Sequence, residues 1–242
     1  MSRPERVLEW VEDGQHRLLA AIDAMPDDAV TAPSALPGWT RGHLLTHLAR
    51  NADALVNLLT WARTGIPAPM YTSPDQRATD IEAGAGRPLA EQRADVRESA
   101  ARFRKAAEAL SADAWSATVV SGQGREIPAS EVPWLRAREV WIHLVDLRVG
   151  VGMDALPPGF ARALVRDVAG WMSARVEPGI GAELAMEGHG TVVLGTPVPG
   201  ATVTGPPHTL ASWLTGRGSI QELRERRELR VTGELPDIPR WL

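Results

Sequence analysis

The sequence predicts an α+β fold, with a four-helix bundle first and a smaller α+β domain after it. Up to residue 152, apolar side chains recur at helical spacing in four long stretches. After residue 152, the pattern changes to short β-like stretches that Pro and Gly turns separate. The predicted domains are therefore 1–152 for the helical bundle and 153–242 for the α+β domain.

The four helices of the first domain are predicted from where their apolar stripes begin and end. Thr40 is suited to the N-cap position of the second helix, and Pro133 is suited to the first turn of the fourth. The connection at residues 70–87 is predicted to be a polar loop, long enough to indicate a function. The predicted bounds of the four helices are 5–24, 42–62, 88–110 and 133–149.

The second domain is predicted to mix helices and strands. One helix is predicted over residues 160–171 and another over residues 207–215. The charged run at residues 224–228 mixes both signs, which is typical of a solvated helix face or loop. Four strands are predicted, over residues 182–186, 191–194, 201–204 and 229–231.

Composition and charge argue against several classes of function. The chain has 242 residues, of which 44% are hydrophobic and 23% are charged, as in an ordinary globular protein. A formal charge of −4 gives no electrostatic basis for binding nucleic acid, and no apolar run approaches the roughly 20 residues that span a bilayer. The N-terminus leads into an amphipathic stretch and not an apolar signal core, so we expect a cytoplasmic protein, with a monomer as the default state.

Three side chains on two predicted helices have the composition of a metal site. Glu139 and His143 are four residues apart, which places them on one face of a helix, and His47 lies in the second helix. Two imidazole nitrogens and one carboxylate oxygen are the ligands of an open catalytic zinc site, with a fourth position for water or substrate. The ligand types favour zinc, with manganese, nickel and iron as alternatives.

The alternative is that Glu139 and His143 form an ordinary surface pair. Val140, Trp141 and Ile142 stand between them, so the helix is apolar on more than one side. A charged pair on such a helix is costly unless it is paired or bound to metal. This environment supports the metal site without excluding the surface pair.

Neighbouring residues bear on the same site. His43 lies four residues before His47 and is either a further ligand or a packing and hydrogen-bonding residue. Asp146 lies three residues after His143 and either orients the ring of His143 or is solvated at the helix end. The chain has no cysteine, so a thiolate at the fourth metal position has to come from a small molecule.

Five segments together resemble one enzyme family nearly end to end. The segment LPGWTRGHLLTH at 36–47 resembles the second-helix signature of the DinB-like thiol-dependent metalloenzymes. A broad superfamily shares that signature, but four more segments narrow the resemblance to the mycothiol-dependent maleylpyruvate isomerase family. They are PMYTSP at 69–74, SE at 130–131 with REVWIH at 138–143, GRG at 216–218, and GELP through PRWL over 233–242.

The resemblance implies a metal-dependent cis-trans isomerase that converts maleylpyruvate to fumarylpyruvate in gentisate degradation, with zinc and mycothiol as cofactors. It implies a DinB-like bundle that binds the metal and an α+β domain that completes the active-site cleft. His47, Glu139 and His143 fall on the family's metal ligands, which favours His47 over His43. We therefore expect His47 to be required for catalysis as well as for metal binding.

Arg77 and Arg217 fall on the functional arginines of the family, in catalysis and in binding. Their assignment rests mainly on the resemblance, but a guanidinium also suits a dianionic substrate because it binds carboxylates bidentately. Arg217 stands between two glycines after a predicted helix. Those glycines either let the backbone approach a ligand or form a helix C-cap, and both interpretations can hold. Arg77 lies in the long polar connection.

The implied mechanism is a reversible addition. Zinc lowers the pKa of the mycothiol thiol, the thiolate adds to the cis double bond, the new single bond rotates, and elimination gives the trans isomer. An arginine stabilises the negative charge on the enolate oxygen. The alternatives are a mycothiol S-transferase that conjugates electrophiles, a metal- or thiol-sensing binding module, and a structural metal site, which a three-ligand set fits poorly.

Overall fold

The computed structural model describes residues 2–73, 75–196 and 201–241. Pro74 and Leu242, which end two of the segments that carry the family resemblance, lie outside the described residues. The chain forms two compact units, Met1–Val151 and Gly152–Leu242, and the predicted α+β class is confirmed. No helix in the described ranges is both long and apolar enough to cross a membrane.

In its described residues, the first unit contains a bundle of helices and one small hairpin. Helix α2 packs against α3, α4 and α5, and α1 packs against α5. The four long helices are those predicted from the sequence. The helices are α1 (Glu5–Asp23), α2 (Arg41–Thr64), α3 (Gln76–Ala85), α4 (Leu89–Glu108) and α5 (Val132–Asp146), and the hairpin pairs β1 (Thr118–Val120) with β2 (Glu126–Pro128).

Helix α2 forms the centre of the core of the first unit. Three helices pack against it, so it needs apolar side chains around most of its circumference. Thr40 occupies the predicted N-cap position, where its hydroxyl accepts from the backbone N–H of His43 at 3.4 Å. Gly65 ends the helix in the left-handed conformation, with φ of 73°. The leucines of α2 without exposed surface are Leu44, Leu45, Leu48, Leu55, Leu58 and Leu59.

A fully buried arginine joins three helices of the bundle. From α5, Arg136 Nη1 donates to the Leu48 carbonyl at 2.8 Å and to Asn51 Oδ1 at 3.1 Å, both on α2. Its Nη2 atom donates to Gln15 Oε1 on α1 at 3.1 Å. Burial lowers the pKa of the Arg136 guanidinium to about 10, so the group stays charged at neutral pH and stabilises the packing of α2 against α5.

A second arginine holds the same two helices at the end of α5. Arg41, the first residue of α2, donates from Nε to the Leu147 carbonyl at 2.7 Å and from Nη2 to the Arg148 carbonyl at 2.8 Å. These carbonyls follow the last turn of α5, where the helix dipole favours a cation. The position of α2 along α5 is therefore fixed by hydrogen bonds at two places.

The prediction of a polar loop over residues 70–87 is wrong for its second half, because Gln76–Ala85 forms helix α3. Only Ile81, Gly84 and Ala85 of this helix are buried. Three buried residues do not make the apolar stripe from which a helix is predicted. The hairpin strands β1 and β2 have three residues each, which is too short to show the alternation from which a strand is predicted.

The C-terminus of α3 rests directly on the start of α2. A Cβ atom at Gly42 would collide with the Ala85 backbone oxygen, so glycine is required for this close approach. The Gln92 side-chain amide donates to the Gly84 and Ala85 carbonyls at 3.2 and 3.1 Å. These bonds satisfy carbonyls that a helix end leaves without partners.

The second unit has, in its described residues, a four-stranded sheet in the order β4-β3-β5-β6. Strand β3 pairs antiparallel with β4 and parallel with β5, and β5 pairs antiparallel with β6. The charged run is partly helical, because α8 extends into it. The elements are α6 (Pro158–Ser173), β3 (Gly181–Met186), β4 (Gly190–Gly195), β5 (Thr202–Gly205), α7 (Pro207–Leu214), α8 (Ile220–Glu225) and β6 (Arg230–Thr232).

Replacing Gly42 with alanine is expected to lower the free energy of unfolding by about 1–3 kcal/mol, the usual cost of overpacking. The physical reason is the collision of the new Cβ with the Ala85 oxygen. Urea titration followed by circular dichroism measures the change. The control is Gly86→Ala, because Gly86 is exposed, has φ of −86° and has no atom within 4 Å of the place that a new Cβ would take. Equal stability of the two variants would contradict the close approach of α3 to α2.

Candidate metal centre

Two helices of the first unit carry the three predicted metal ligands. His47 lies within α2, and Glu139 and His143 lie one turn apart on α5. Glu139 Oε2 lies 2.8 Å from His47 Nε2 and 3.1 Å from His143 Nε2, and the two imidazole centroids are 4.9 Å apart. One donor atom from each residue lies within 4.8 Å of the other two, so the three converge on one small volume.

The donor set fits a divalent metal ion with a free coordination position. Two imidazole nitrogens and one carboxylate oxygen match the ligand preferences of zinc. The side chain of His47 is 4% exposed and that of Glu139 is 28% exposed, so the cluster keeps an accessible side. Within residues 2–73, 75–196 and 201–241, no fourth His, Cys, Asp or Glu joins the group. A closed structural zinc site needs four protein ligands.

Electrostatics keep Glu139 and His47, but not His143, in forms that bind cations. Burial alone would raise the pKa of Glu139, but the charges and hydrogen bonds of His47 and His143 outweigh it and hold that pKa well below its usual value. Burial lowers the pKa of His47, which keeps the ring neutral. For His143, burial opposes the charged form, but hydrogen bonds with Asp146 and Glu139 outweigh it and raise the pKa. A metal ion at His143 would therefore compete with a proton.

Asp146 holds the ring of His143. Its side chain is fully buried, and its Oδ2 atom lies 2.9 Å from His143 Nδ1. The sequence leaves two interpretations of Asp146 open. The structure shows a buried carboxylate that contacts the His143 ring, and not a solvated residue at the helix end. A carboxylate on Nδ1 favours a proton there and leaves the Nε2 lone pair for a metal ion.

Arg77 lies at the edge of the cluster, in the first turn of α3. Its Nη2 atom lies 3.2 Å from His47 Nδ1, and its guanidinium carbon lies 5.9 Å from the centroid of the Trp39 ring. The Trp39 ring is itself 5.6 Å from the His47 ring. Helix α3, absent from the sequence-based prediction, brings this permanent cation to the cluster. The role of Arg77 in binding and catalysis stays a prediction.

His43 makes its contacts outside the cluster. Its Nδ1 atom lies 2.8 Å from Thr40 Oγ1, and its Nε2 atom lies 3.4 Å from Glu82 Oε2. Both ring nitrogens therefore face groups other than the converging donors. These contacts are the ones expected of His43 as a hydrogen-bonding residue.

Arg217 belongs to the second unit, in the turn that follows α7. Gly216 has φ of 75°, and the N–H groups of Arg217 and Gly218 both donate to the Ser212 carbonyl, at 2.8 and 3.2 Å. Arg217 Nη1 donates to the Thr215 carbonyl at 2.5 Å. These are the contacts of a helix C-cap. The role of Arg217 toward substrate or cofactor stays a prediction.

Tyr71 has no role predicted from the sequence, although the charge of Arg77 acts on its hydroxyl. Burial raises the pKa of its hydroxyl, the positive charge of Arg77 opposes this, and the negative charge of Glu139 adds to it. The raised pKa keeps the phenol neutral. The signal that the sequence offers is that Tyr71 is the only tyrosine of the chain and stands within the resembling segment 69–74.

Two family models match the two parts of this chain. Residues 11–148 match the mycothiol maleylpyruvate isomerase N-terminal domain, and residues 155–240 match the MDMPI C-terminal domain. The chain belongs to the mycothiol-dependent maleylpyruvate isomerase family. This confirms the predicted membership of an enzyme family. No curated protein sequence matches the chain.

Solved structures agree with this assignment. One is a crystal structure of the mycothiol-dependent maleylpyruvate isomerase, and another is that of a histidine-to-alanine mutant of it. Each is 32% identical to this chain, with a TM-score of 0.85 and 100% of both chains covered. The similarity to this isomerase family therefore extends over both units.

Removing one imidazole from the cluster is expected to abolish tight zinc binding. His47→Ala should weaken zinc affinity by more than about 100-fold. This is a larger loss of affinity than the removal of a residue that only supports a ligand would cause. Competition with a fluorescent chelator measures the affinity. His16→Ala is the matched control, because it removes an exposed imidazole from the same unit. Wild-type affinity in His47→Ala would contradict the ligand assignment.

Asp146→Asn is expected to weaken zinc binding by about 10–100-fold, because the carboxylate that orients His143 and raises its basicity is lost. The same chelator competition provides the measurement. Asp28→Asn, which neutralises an exposed carboxylate of the same unit, should leave the affinity unchanged. An unchanged affinity in Asp146→Asn would show that His143 does not depend on this contact.

Proposed function

We propose that this protein isomerises maleylpyruvate to fumarylpyruvate, with mycothiol as its thiol and a zinc ion held by the cluster. The observation that carries the proposal is the convergence of His47, Glu139 and His143 in a chain that resembles the mycothiol-dependent isomerase over its full length. Zinc as the metal, gentisate degradation as the pathway and the cytoplasm as the location are part of the same proposal.

His47, Glu139 and His143 are the residues that would hold the metal. When bound, zinc would lower the pKa of a coordinated thiol and so supply a thiolate at neutral pH. Asp146 holds the His143 ring through Nδ1, which keeps Nε2 aimed at the cluster. The chain has no cysteine, which fits a thiol that comes from a small molecule.

We assign the stabilisation of substrate charge to Arg77. Its guanidinium lies 3.2 Å from the His47 ring, so it places a fixed positive charge beside the metal ligands. Such a charge stabilises an oxygen that becomes negative during addition to a conjugated double bond, and it also binds carboxylates. Arg217 is proposed as a second carboxylate-binding residue. The assignments of 1–152 to metal binding and of 153–242 to completing the site stay predictions.

The competing proposal is a mycothiol S-transferase that conjugates electrophiles. It would use the same three ligands and the same activated thiol, but it would not eliminate the thiol again. The position of Arg77 at the cluster favours the isomerase, because a small dianionic substrate needs a cation there, whereas an uncharged electrophile does not.

We expect zinc-loaded protein to form fumarylpyruvate from maleylpyruvate only when mycothiol is present. Chromatography of the product measures turnover. His47→Ala should lower kcat/KM by at least about 100-fold, and His16→Ala should match the wild type. Equal turnover without thiol, or in His47→Ala, would contradict the proposal. Absence of product with one zinc bound per chain would favour the S-transferase, which a panel of electrophiles would then test.

A further inference from the structure

A groove of about 440 Å³ lies between α1 and α4 in the first unit. Arg93 on α4 donates to the Ile22 and Met25 carbonyls at 3.1 and 2.6 Å, which ties the end of α1 to α4. Beyond this junction, side chains from residues 8–19 of α1 and 97–108 of α4 line the groove. Small-molecule sites in proteins have volumes of about 300–1,000 Å³, so the groove is large enough for one small organic molecule.

The walls of this groove are mainly apolar. Leu8, Val11 and Leu19 line it from α1, and Phe103 and Ala107 line it from α4. Apart from one buried arginine, the charged side chains of the lining are three arginines and two glutamates, all of them exposed. Apolar walls favour a ligand with an apolar body, and a charge placed along them would lose its hydration without gaining a partner. The groove therefore suits a ligand that is polar at one end only.

The buried arginine of the lining is Arg136 of α5, which has no exposed surface. Its acceptors are all neutral, namely the Leu48 carbonyl and the side-chain amide oxygens of Asn51 and Gln15. Among the described residues, no carboxylate forms an ion pair with it. A permanent positive charge therefore lies at the inner wall of the groove, where the low dielectric constant strengthens its attraction for an anion.

The amide of Gln15, also in the lining, is oriented by this arginine. A guanidinium has donors and no acceptor, so the amide oxygen of Gln15 has to face Arg136 Nη2, which it does at 3.1 Å. The amide nitrogen then faces away from Arg136. It is buried and has no hydrogen-bond partner among the described residues. A carboxylate oxygen that accepts from this nitrogen would satisfy a buried donor and bring a negative charge close to Arg136.

We propose that the groove between α1 and α4 binds a monocarboxylic acid with an apolar body. The carboxylate accepts from the Gln15 amide beside Arg136, and the apolar body lies along the walls that α1 and α4 form. None of the three metal ligands lines this groove, so it is a second site on the first unit. The proposal goes beyond the proposed function and does not depend on it, because neither the metal nor the thiol takes part.

Calorimetric titration of the zinc-loaded protein with octanoate tests this site, with 1-octanol as the matched ligand that lacks the carboxylate. We expect one octanoate per chain, bound at least about tenfold more tightly than octanol, as a hydrogen bond to a charged group gives. Gln15→Leu should weaken octanoate binding by about tenfold and leave octanol binding unchanged, because it removes the amide and keeps the volume. Equal affinities of the wild type for the acid and the alcohol would overturn the proposal.

Three further variants locate the bound octanoate. Ala100→Phe places a ring in the groove from a half-exposed position of α4 and should abolish binding, whereas Ala94→Phe, at an exposed position of α4 outside the lining, should not change it. His47→Ala should keep the wild-type affinity for octanoate. Loss of binding in His47→Ala would place the carboxylate at the metal centre and overturn the proposal, as would wild-type binding in Ala100→Phe. Circular dichroism checks that each variant is folded.

A measurement on the wild type needs no folded variant. In protein labelled with nitrogen-15, the side-chain amide of Gln15 gives a pair of resonances that can be followed during titration. We expect this pair to shift saturably with octanoate and much less with octanol, because only the carboxylate accepts from the amide. Unchanged Gln15 resonances at saturating octanoate would overturn the proposal. Failure of the turnover assay counts against the proposed function alone, since octanoate binding is measured without substrate or thiol.

Discussion

The candidate site depends on the way in which α2 is held against α5, because one metal ligand comes from the first helix and two come from the second. Arg136 lies three residues before Glu139 and donates to the carbonyl of Leu48, the residue after His47. A buried guanidinium without a carboxylate partner is tolerated only when its donors are satisfied, and here two helices satisfy them. The hydrogen bonds that stabilise the charge of Arg136 therefore also fix the distance between the turns of α2 and α5 that carry the metal ligands.

Arg77 reaches the cluster through backbone contacts that lie outside it. The missing side chain of Gly42 lets the end of α3 rest on α2, and α3 carries Arg77. The cation of Arg77 is thus positioned by helix packing and not by contacts with a ligand.

An element can be predicted when the pattern that indicates it lies among residues close together in the sequence. The long helices are predictable because their apolar stripes repeat along the sequence, and the pairing of Glu139 with His143 follows from helical spacing. The approach of His47 is not local, since 92 residues separate it from Glu139, and only the family resemblance selects it over His43. Helix α3 buries too few residues to show a stripe, so the position of Arg77 beside His47 has no periodic signal.

The carboxylate of Glu139 is held between two imidazoles, at 2.8 and 3.1 Å, so the protein itself stabilises this half-buried charge. His47 and His143 hold the pKa of Glu139 well below its usual value, so the carboxylate is stabilised by its protein neighbours. The choice of ion at such a site depends on geometry, ligand type and metal availability, because intrinsic affinities alone would rank copper above zinc.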